Sequence, residues 1–218
     1  MKTFCKRSFY LILCVTVCMT SGFAQARLVL NGAKINISNG ANIVIANSAS
    51  NAITRLDGHI ISEGELNAIR WEIGTATGTY VLPWGYGAAG YLPLSFTKSA
   101  GTGNGRFLFS TYHTGWENSL YLPTGVTNAN EGGSDLSAFI IDRYWQLNAQ
   151  GYSTTPDLTN LSFTYLDVEH TETENTIAEA SLAIERWNVG TSTWNTSLSG
   201  NTINTTTNSI TSANVEGD

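Results

Sequence analysis

Residues able to do chemistry are sparse in this chain. Its histidines are His59, His113 and His170. Its cysteines are Cys5, Cys14 and Cys18, all close to the amino terminus. No Gly-x-Ser-x-Gly elbow is present to expose a nucleophilic serine. Zinc needs several His, Cys or carboxylate ligands in close array, and three scattered histidines without an H-x-x-x-H pair do not supply them. His59 follows a turn and His170 sits in an acidic loop, so both are expected in solvent. Glu63 and Glu65 are two apart, which would set both carboxyls on one side of a strand. Glycoside hydrolysis needs a pair placed across a sugar, and that spacing alone does not provide it. Oxygen-rich Asp167-Val168-Glu169-His170-Thr171-Glu172-Thr173-Glu174 is the best cation candidate. Asp167, Glu169 and Glu172 could present carboxylates to Ca²⁺, which takes oxygen ligands from flexible loops. No Asp-x-Asp-x-Asp-Gly motif supports it, and a solvated acidic loop is the simpler expectation. No other cofactor is implied.

Aromatic side chains are the stronger lead. Trp71, Trp84, Tyr86, Tyr91, Trp116, Trp145, Trp187 and Trp194 are many for a chain of 218 residues. Exposed Trp and Tyr faces combine apolar area with a polar handle, which suits stacking on sugar rings. Trp145 and Trp187 fall inside strand-like runs and are expected in the core. Trp84, Tyr86 and Tyr91 lie in or beside Gly87-Ala88-Ala89-Gly90 and are the expected carbohydrate-binding surface.

These residues must be positioned by β-structure. Asn31-Gly32-Ala33-Lys34-Ile35-Asn36-Ile37-Ser38 is followed at once by Asn39-Gly40-Ala41-Asn42-Ile43-Val44-Ile45-Ala46. In this N-G-A-x-I-x-I-x unit, Asn-Gly supplies a tight turn and the two Ile share one face of a short strand. Such units either stack as a small solenoid or fold as a meander, and a short stack of strands is the expectation. From Asn67 onward, apolar runs recur between turn clusters every 8–15 residues. Leu161-Ser162-Phe163-Thr164-Tyr165 alternates apolar with hydroxyl residues, as a half-buried strand does. The expected fold is all-β: an antiparallel β-sandwich, jelly-roll-like, over 67–218, preceded by solenoid-like or meander strands over 27–66. Glu174 to Ala183 is expected to be a loop with room for one helical turn.

The amino terminus sets the compartment. Lys2, Lys6 and Arg7 precede an apolar run from Phe9 to Met19, and Ala24-Gln25-Ala26 forms an A-x-A cleavage signal. Residues 1–26 therefore read as a signal peptide, with Ala24 and Ala26 flanking the cut and Arg27 as the new terminus. The apolar run is short of the roughly 20 residues a spanning helix needs, so no membrane span is expected after processing. A lipid on Cys18 is disfavoured, because Val15-Thr16-Val17 lacks the small residue expected ahead of it. Removal of this segment takes every cysteine with it, so the secreted chain must rest on its hydrophobic core. It also makes the net charge of −6 three units more negative, which disfavours nucleic acid and anionic membranes. Near the other end, residues 202–215 alternate polar and β-branched side chains and stop at Gly217-Asp218. That pattern predicts a fragment whose natural protein continues.

The ordered set of N-G-A-x-I-x-I repeats, Gly78-Thr79-Tyr80-Val81-Leu82-Pro83-Trp84-Gly85, Tyr91-Leu92-Pro93-Leu94, Arg143-Tyr144-Trp145-Gln146-Leu147, Leu161 to Tyr165 and Glu185-Arg186-Trp187-Asn188 with Trp194 resembles a known group. It resembles the β-rich modules of cell-surface, adhesin-like proteins exported by Bacteroidota through type IX secretion. Trp84 departs from that pattern, where a smaller aliphatic residue is usual. The resemblance implies a surface or adhesin-like role and brings no catalytic residues with it. A non-catalytic structural or adhesive module of an exported protein is thus the leading expectation. A carbohydrate-binding module and the accessory domain of a secreted hydrolase are the alternatives. The fitting partners are a glycan or another surface protein.

Overall fold

The computed structural model describes residues 26–88, 90–129, 136–195, 198 and 200–215. Strands account for 40% of the residues and helical turns for 8%, so the chain is all-β. Ala24 lies outside the described residues. Ala26 is exposed, and its carbonyl accepts a hydrogen bond from Asn47 Nδ2 at 3.2 Å.

The repeat segment is a two-coil parallel solenoid. Strands β1 (Leu28–Leu30), β2 (Lys34–Asn36) and β3 (Asn42–Ile45) form the first coil. Strands β4 (Ile53–Arg55), β5 (His59–Ile61) and β6 (Ala68–Trp71) form the second. Each strand pairs in parallel with its counterpart one coil later: Leu28 with Ile53, Lys34 with His59, Asn42 with Ala68. The eight-residue sequence repeat therefore runs around one coil, from side to side, and the stacking repeat is the longer one between coils. The corner residues Gly32, Asn39 and Gly40 all have positive φ, which Asn and Gly adopt most readily. Gly58 is the tightest point of the stack. At φ +85°, a Cβ there would come within 2.0 Å of the Ala33 carbonyl oxygen.

Strand β6 joins the solenoid to the sandwich. On one side it pairs in parallel with β3, and on the other antiparallel with β11 (Arg106–His113). With β12 (Arg143–Gln150) these make a four-stranded sheet in the order β12-β11-β6-β3. The facing sheet has the order β16-β17-β13-β10-β7 and is antiparallel throughout. Its strands are β7 (Gly78–Leu82), β10 (Leu94–Lys98), β13 (Leu158–Thr164), β16 (Thr202–Asn204) and β17 (Ser209–Val215). Strand β17 thus lies inside this sheet, with β13 on one side and β16 on the other.

Alternation on these strands follows the two-residue period of a strand. Leu94, Phe96 and Lys98 are buried, while Ser95 and Thr97 are half-buried. Rings from the two sheets meet in the middle. Trp71 packs edge-on against Tyr80 at 5.0 Å, and Phe96 lies 5.4 Å from Phe109. One hydrophobic cluster runs from Leu30 in the first coil to Ile210 in β17, so solenoid and sandwich share a single core. Buried Lys98 points into it. Its ammonium donates to the Ala76 carbonyl at 3.0 Å, and burial lowers its pKa.

The Glu174 to Ala183 segment holds one 3₁₀ turn, Glu179–Ser181, and a single α-turn, Val168–Thr171, lies just before it. No helix among the described residues is long and apolar enough to cross a membrane.

Candidate functional site

Two places gather polar and aromatic chemistry. The first is a groove of about 1000 Å³ on the open side of the sandwich, along edge strand β12. It runs along β12 because, among the described residues, β12 ends the four-stranded sheet and no further strand pairs with its free edge. Trp145 and Phe163 form its inner wall, with ring centroids 5.2 Å apart. A small hairpin of β14 (Trp187–Asn188) and β15 (Thr193–Trp194) forms the outer wall. Trp187 and Trp194 meet edge to face at 5.5 Å, and Trp194 Nε1 donates to the Asn128 carbonyl at 2.9 Å. The polar lining includes the amides Asn42, Gln146, Asn148 and Asn188, the hydroxyls of Ser110, Thr124 and Thr155, and the charged Glu65, Glu185 and Arg186. All three Trp side chains are partly exposed. The arrangement can stack flat apolar faces and present both neutral and charged donors and acceptors around them.

The second place is a buried ionic cluster at the far end of β11 and β12. Arg143 begins β12 in phase with Trp145 and Leu147, so strand alternation turns its guanidinium inward. Its side chain is fully buried. Nε donates to Glu169 Oε1 at 2.7 Å, and Nη1 donates to Glu63 Oε1 at 2.9 Å and to Thr111 Oγ1 at 3.2 Å. The other Glu169 oxygen accepts from the Leu166 amide, and the other Glu63 oxygen from the His113 amide. Tyr86 stacks on His113 at 5.3 Å, with the Arg143 guanidinium carbon 5.7 Å from its ring.

Beside this cluster, Asp142 is also fully buried. Its carboxylate accepts from Asn118 Nδ2 at 3.1 Å and from Asn175 Nδ2 at 2.8 Å. Burial above all, with a smaller contribution from the nearby Glu172 charge, pushes its pKa up to about 6 against the lowering effect of the two amide hydrogen bonds and His113. Burial that raises an acid's pKa penalises the folded anion, so the folded carboxyl holds its proton to a higher pH than the unfolded one does. Protons bound by the folded state then exceed those of the unfolded state between 3.8 and about 6. Stability from Asp142 is therefore fully present below that window and lost as pH rises through it. Asn175 Oδ1 is buried without a hydrogen-bond partner, so a turned-over amide could accept from a protonated group at position 142. Asp142→Asn is expected to raise the melting temperature at pH 7 and to flatten its fall between pH 4 and 6. Thermal melts of both proteins across that range check it, and parallel wild-type and variant curves would refute it.

The aromatics expected at the surface are distributed differently from the sequence expectation. Trp84 is fully buried. It forms a parallel bridge with Ile60 over the second coil, so the solenoid core claims it. Tyr86, in β8 (Gly85–Tyr86), is 38% exposed but lies flat on His113. Tyr91, in β9 (Gly90–Tyr91), is half-buried under Arg55, whose guanidinium carbon sits 3.7 Å from its ring. The three do not form an open stacking row. Trp187, expected in the core, instead lines the groove.

The carboxylates also part company. Glu169 is buried against Arg143, whereas the Asp167 side chain is 85% exposed and accepts from Asn208. No three His, Cys, Asp or Glu among the described residues converge on a possible metal position. Glu63 and Glu65 lie in a turn after β5 and diverge: Glu63 reaches Arg143, and Glu65 accepts from Thr124 N and Oγ1. His59 is buried and bonds the Gly87 carbonyl at 3.1 Å, and His170 packs edge-on to Tyr165. Neither histidine is in open solvent, because each ring fills space under a loop.

No family model matches the chain, and neither the curated proteins nor the solved structures include a match.

Proposed function

We propose that this chain is a non-catalytic adhesive module of an exported cell-surface protein and that it binds uncharged glycan in the groove along β12. The observation that carries this reading is the triad Trp145, Trp187 and Trp194 around a groove whose other polar lining mixes amides and hydroxyls with Glu65, Glu185 and Arg186. Aromatic faces bury the apolar faces of sugar rings, and amides and hydroxyls exchange hydrogen bonds with the sugar hydroxyls. Export is supported by the tripartite segment ending at Ala24-Gln25-Ala26. The adhesin-like setting is supported by the ordered motifs that resemble type IX secretion modules. The absence of turnover is supported by the fate of Glu63 and Glu169. Both carboxylates are held on one guanidinium, whereas a glycosidase must aim two carboxyls at a bound sugar.

Calorimetric titration against a panel of neutral and acidic polysaccharides tests the reading. Binding is expected for at least one neutral glycan. Trp187→Ala and Trp194→Ala are each expected to weaken it by roughly 3- to 10-fold, from about 0.5–1.5 kcal/mol per stacked aromatic. The double variant should abolish measurable binding while its near-ultraviolet spectrum outside the Trp187–Trp194 contribution stays native. Failure of every glycan to bind, or binding unchanged in a folded double variant, would refute the proposal.

A further inference from the structure

We infer that the first solenoid coil is a self-association surface, through which two copies of this chain abut end to end and extend their hydrogen-bond ladders across the junction. Among the described residues, β1, β2 and β3 are each paired on one side only, to β4, β5 and β6. The bonds that exist fix which peptide groups are left over. Leu28 N donates to Ala52 O, and Leu56 N donates to Leu30 O, so these two residues face β4. By alternation, the N–H and C=O of Val29 face away. His59 N to Ala33 O and Ile37 N to Ile61 O set Lys34 and Asn36 outward on β2. Ala68 N to Ala41 O and Glu72 N to Ile45 O set Asn42 and Val44 outward on β3.

At the opposite end of the solenoid two of the three strands are covered: β6 continues into the four-stranded sheet, and Ile60 N in β5 donates to the Pro83 carbonyl. Among the described residues, the first coil shows none of the usual edge protection. Its three strands contain no proline and a single charge, Lys34, while Val29 and Val44 are 54% and 52% exposed. Native sheets normally blunt such edges with charge, proline or a covering segment.

The geometry of the edge selects the occupant. A single extended peptide can pair with one of the three strands. All three, set on different sides of one core, are met at once by another coil of the same cross-section, and this chain's own first coil is one. Two identical edges meet about a two-fold axis, which makes the pairing antiparallel. With the axis through Ile35, β2 pairs with β2, and β1 of each copy lies against β3 of the other. Lys34 of one copy then stands opposite Asn36 of the other, an outward-facing pair that can exchange both backbone hydrogen bonds. No like charges face each other there.

That register yields a test independent of glycan binding. Sedimentation velocity on residues 27–218, which contain every strand described above, is expected to show a reversible, concentration-dependent dimer. Lys34 and Asn36 are both exposed in the single chain, so substitutions at 36 leave the monomer fold intact. Asn36→Lys places lysine opposite lysine twice, and should weaken the dimer roughly fivefold. Asn36→Glu places opposite charges there and should tighten it by a similar factor, with the gain lost at high salt. Val29→Pro removes an outward N–H without touching the β1–β4 ladder and should also weaken association. Circular dichroism identifies any variant that has failed to fold. A protein that stays monomeric at the highest attainable concentration would overturn the inference. So would a dimer indifferent to the charge at position 36, which would place association elsewhere.

Discussion

Replacing Arg143 with methionine is expected to cost about 3–5 kcal/mol of stability, the range for removing one partner of a buried ion pair. At roughly 2–4 °C per kcal/mol for a chain of this size, the melting temperature should fall by about 6–20 °C. The reason lies in what stays behind. Glu169 has no exposed side-chain surface, so its carboxylate would keep only the Leu166 amide as a partner. Glu63, at 24% exposed, can turn toward water and should matter less. The single variants therefore rank: Arg143→Met most destabilising, Glu169→Gln next, Glu63→Gln least. The double variant Arg143→Met with Glu169→Gln should recover part of the loss, because the stranded charge is gone. Chemical denaturation of the four variants measures the coupling. A double variant as unstable as the sum of its singles would show that the guanidinium stabilises by filling volume and not by neutralising Glu169.

Arg143 also shows what could be read from the chain and what could not. Its inward direction is legible: Arg143, Trp145 and Leu147 share one strand face, so a charge in phase with a tryptophan and a leucine points toward a core. Lys98 follows Leu94 and Phe96 in the same way. The identity of its partners is not legible, because Glu63 and Glu169 lie 80 and 26 residues away and no local spacing relates them. The all-β class, the strand periods and the repeat turns follow from residue types, since alternation and Asn-Gly corners are local physics. The coil-to-coil stacking does not, because the eight-residue repeat carries no information about which strand lies above which.

The groove was hidden for a similar reason. Trp145 and Trp187 sit in strand-like runs, and a local pattern cannot say that β12 ends its sheet. An edge strand leaves its inward residues half-open, whereas the same pattern one strand further in would be sealed. Trp84 makes the converse point. A Gly-rich neighbourhood suggests a surface loop, yet Gly85 lets β8 pass close to the His59 ring: a Cβ there would come within 2.3 Å of it. The close approach is what seats Trp84 on the second coil.

Trp71 and Trp84 are equally buried but should respond differently to substitution. Alanine at either position is expected to cost about 3–5 kcal/mol, the range for deleting a large aromatic from a core. Phenylalanine separates them. Trp71 Nε1 donates to the Asn47 carbonyl at 2.8 Å inside the core, so Trp71→Phe removes volume and strands an acceptor. An unsatisfied buried polar group adds roughly 1–3 kcal/mol. Trp84 Nε1 is buried with no hydrogen-bond partner, so Trp84→Phe removes volume but also removes a donor whose desolvation is uncompensated. Trp84→Phe should therefore be milder than Trp71→Phe by about 1–3 kcal/mol, although the two residues have the same size and exposure. Urea unfolding of the two phenylalanine variants decides the matter. Equal losses would mean that packing alone sets the cost at both sites. A larger loss at Trp84 would mean that its indole holds the solenoid to the sandwich through contacts that a phenyl ring cannot make.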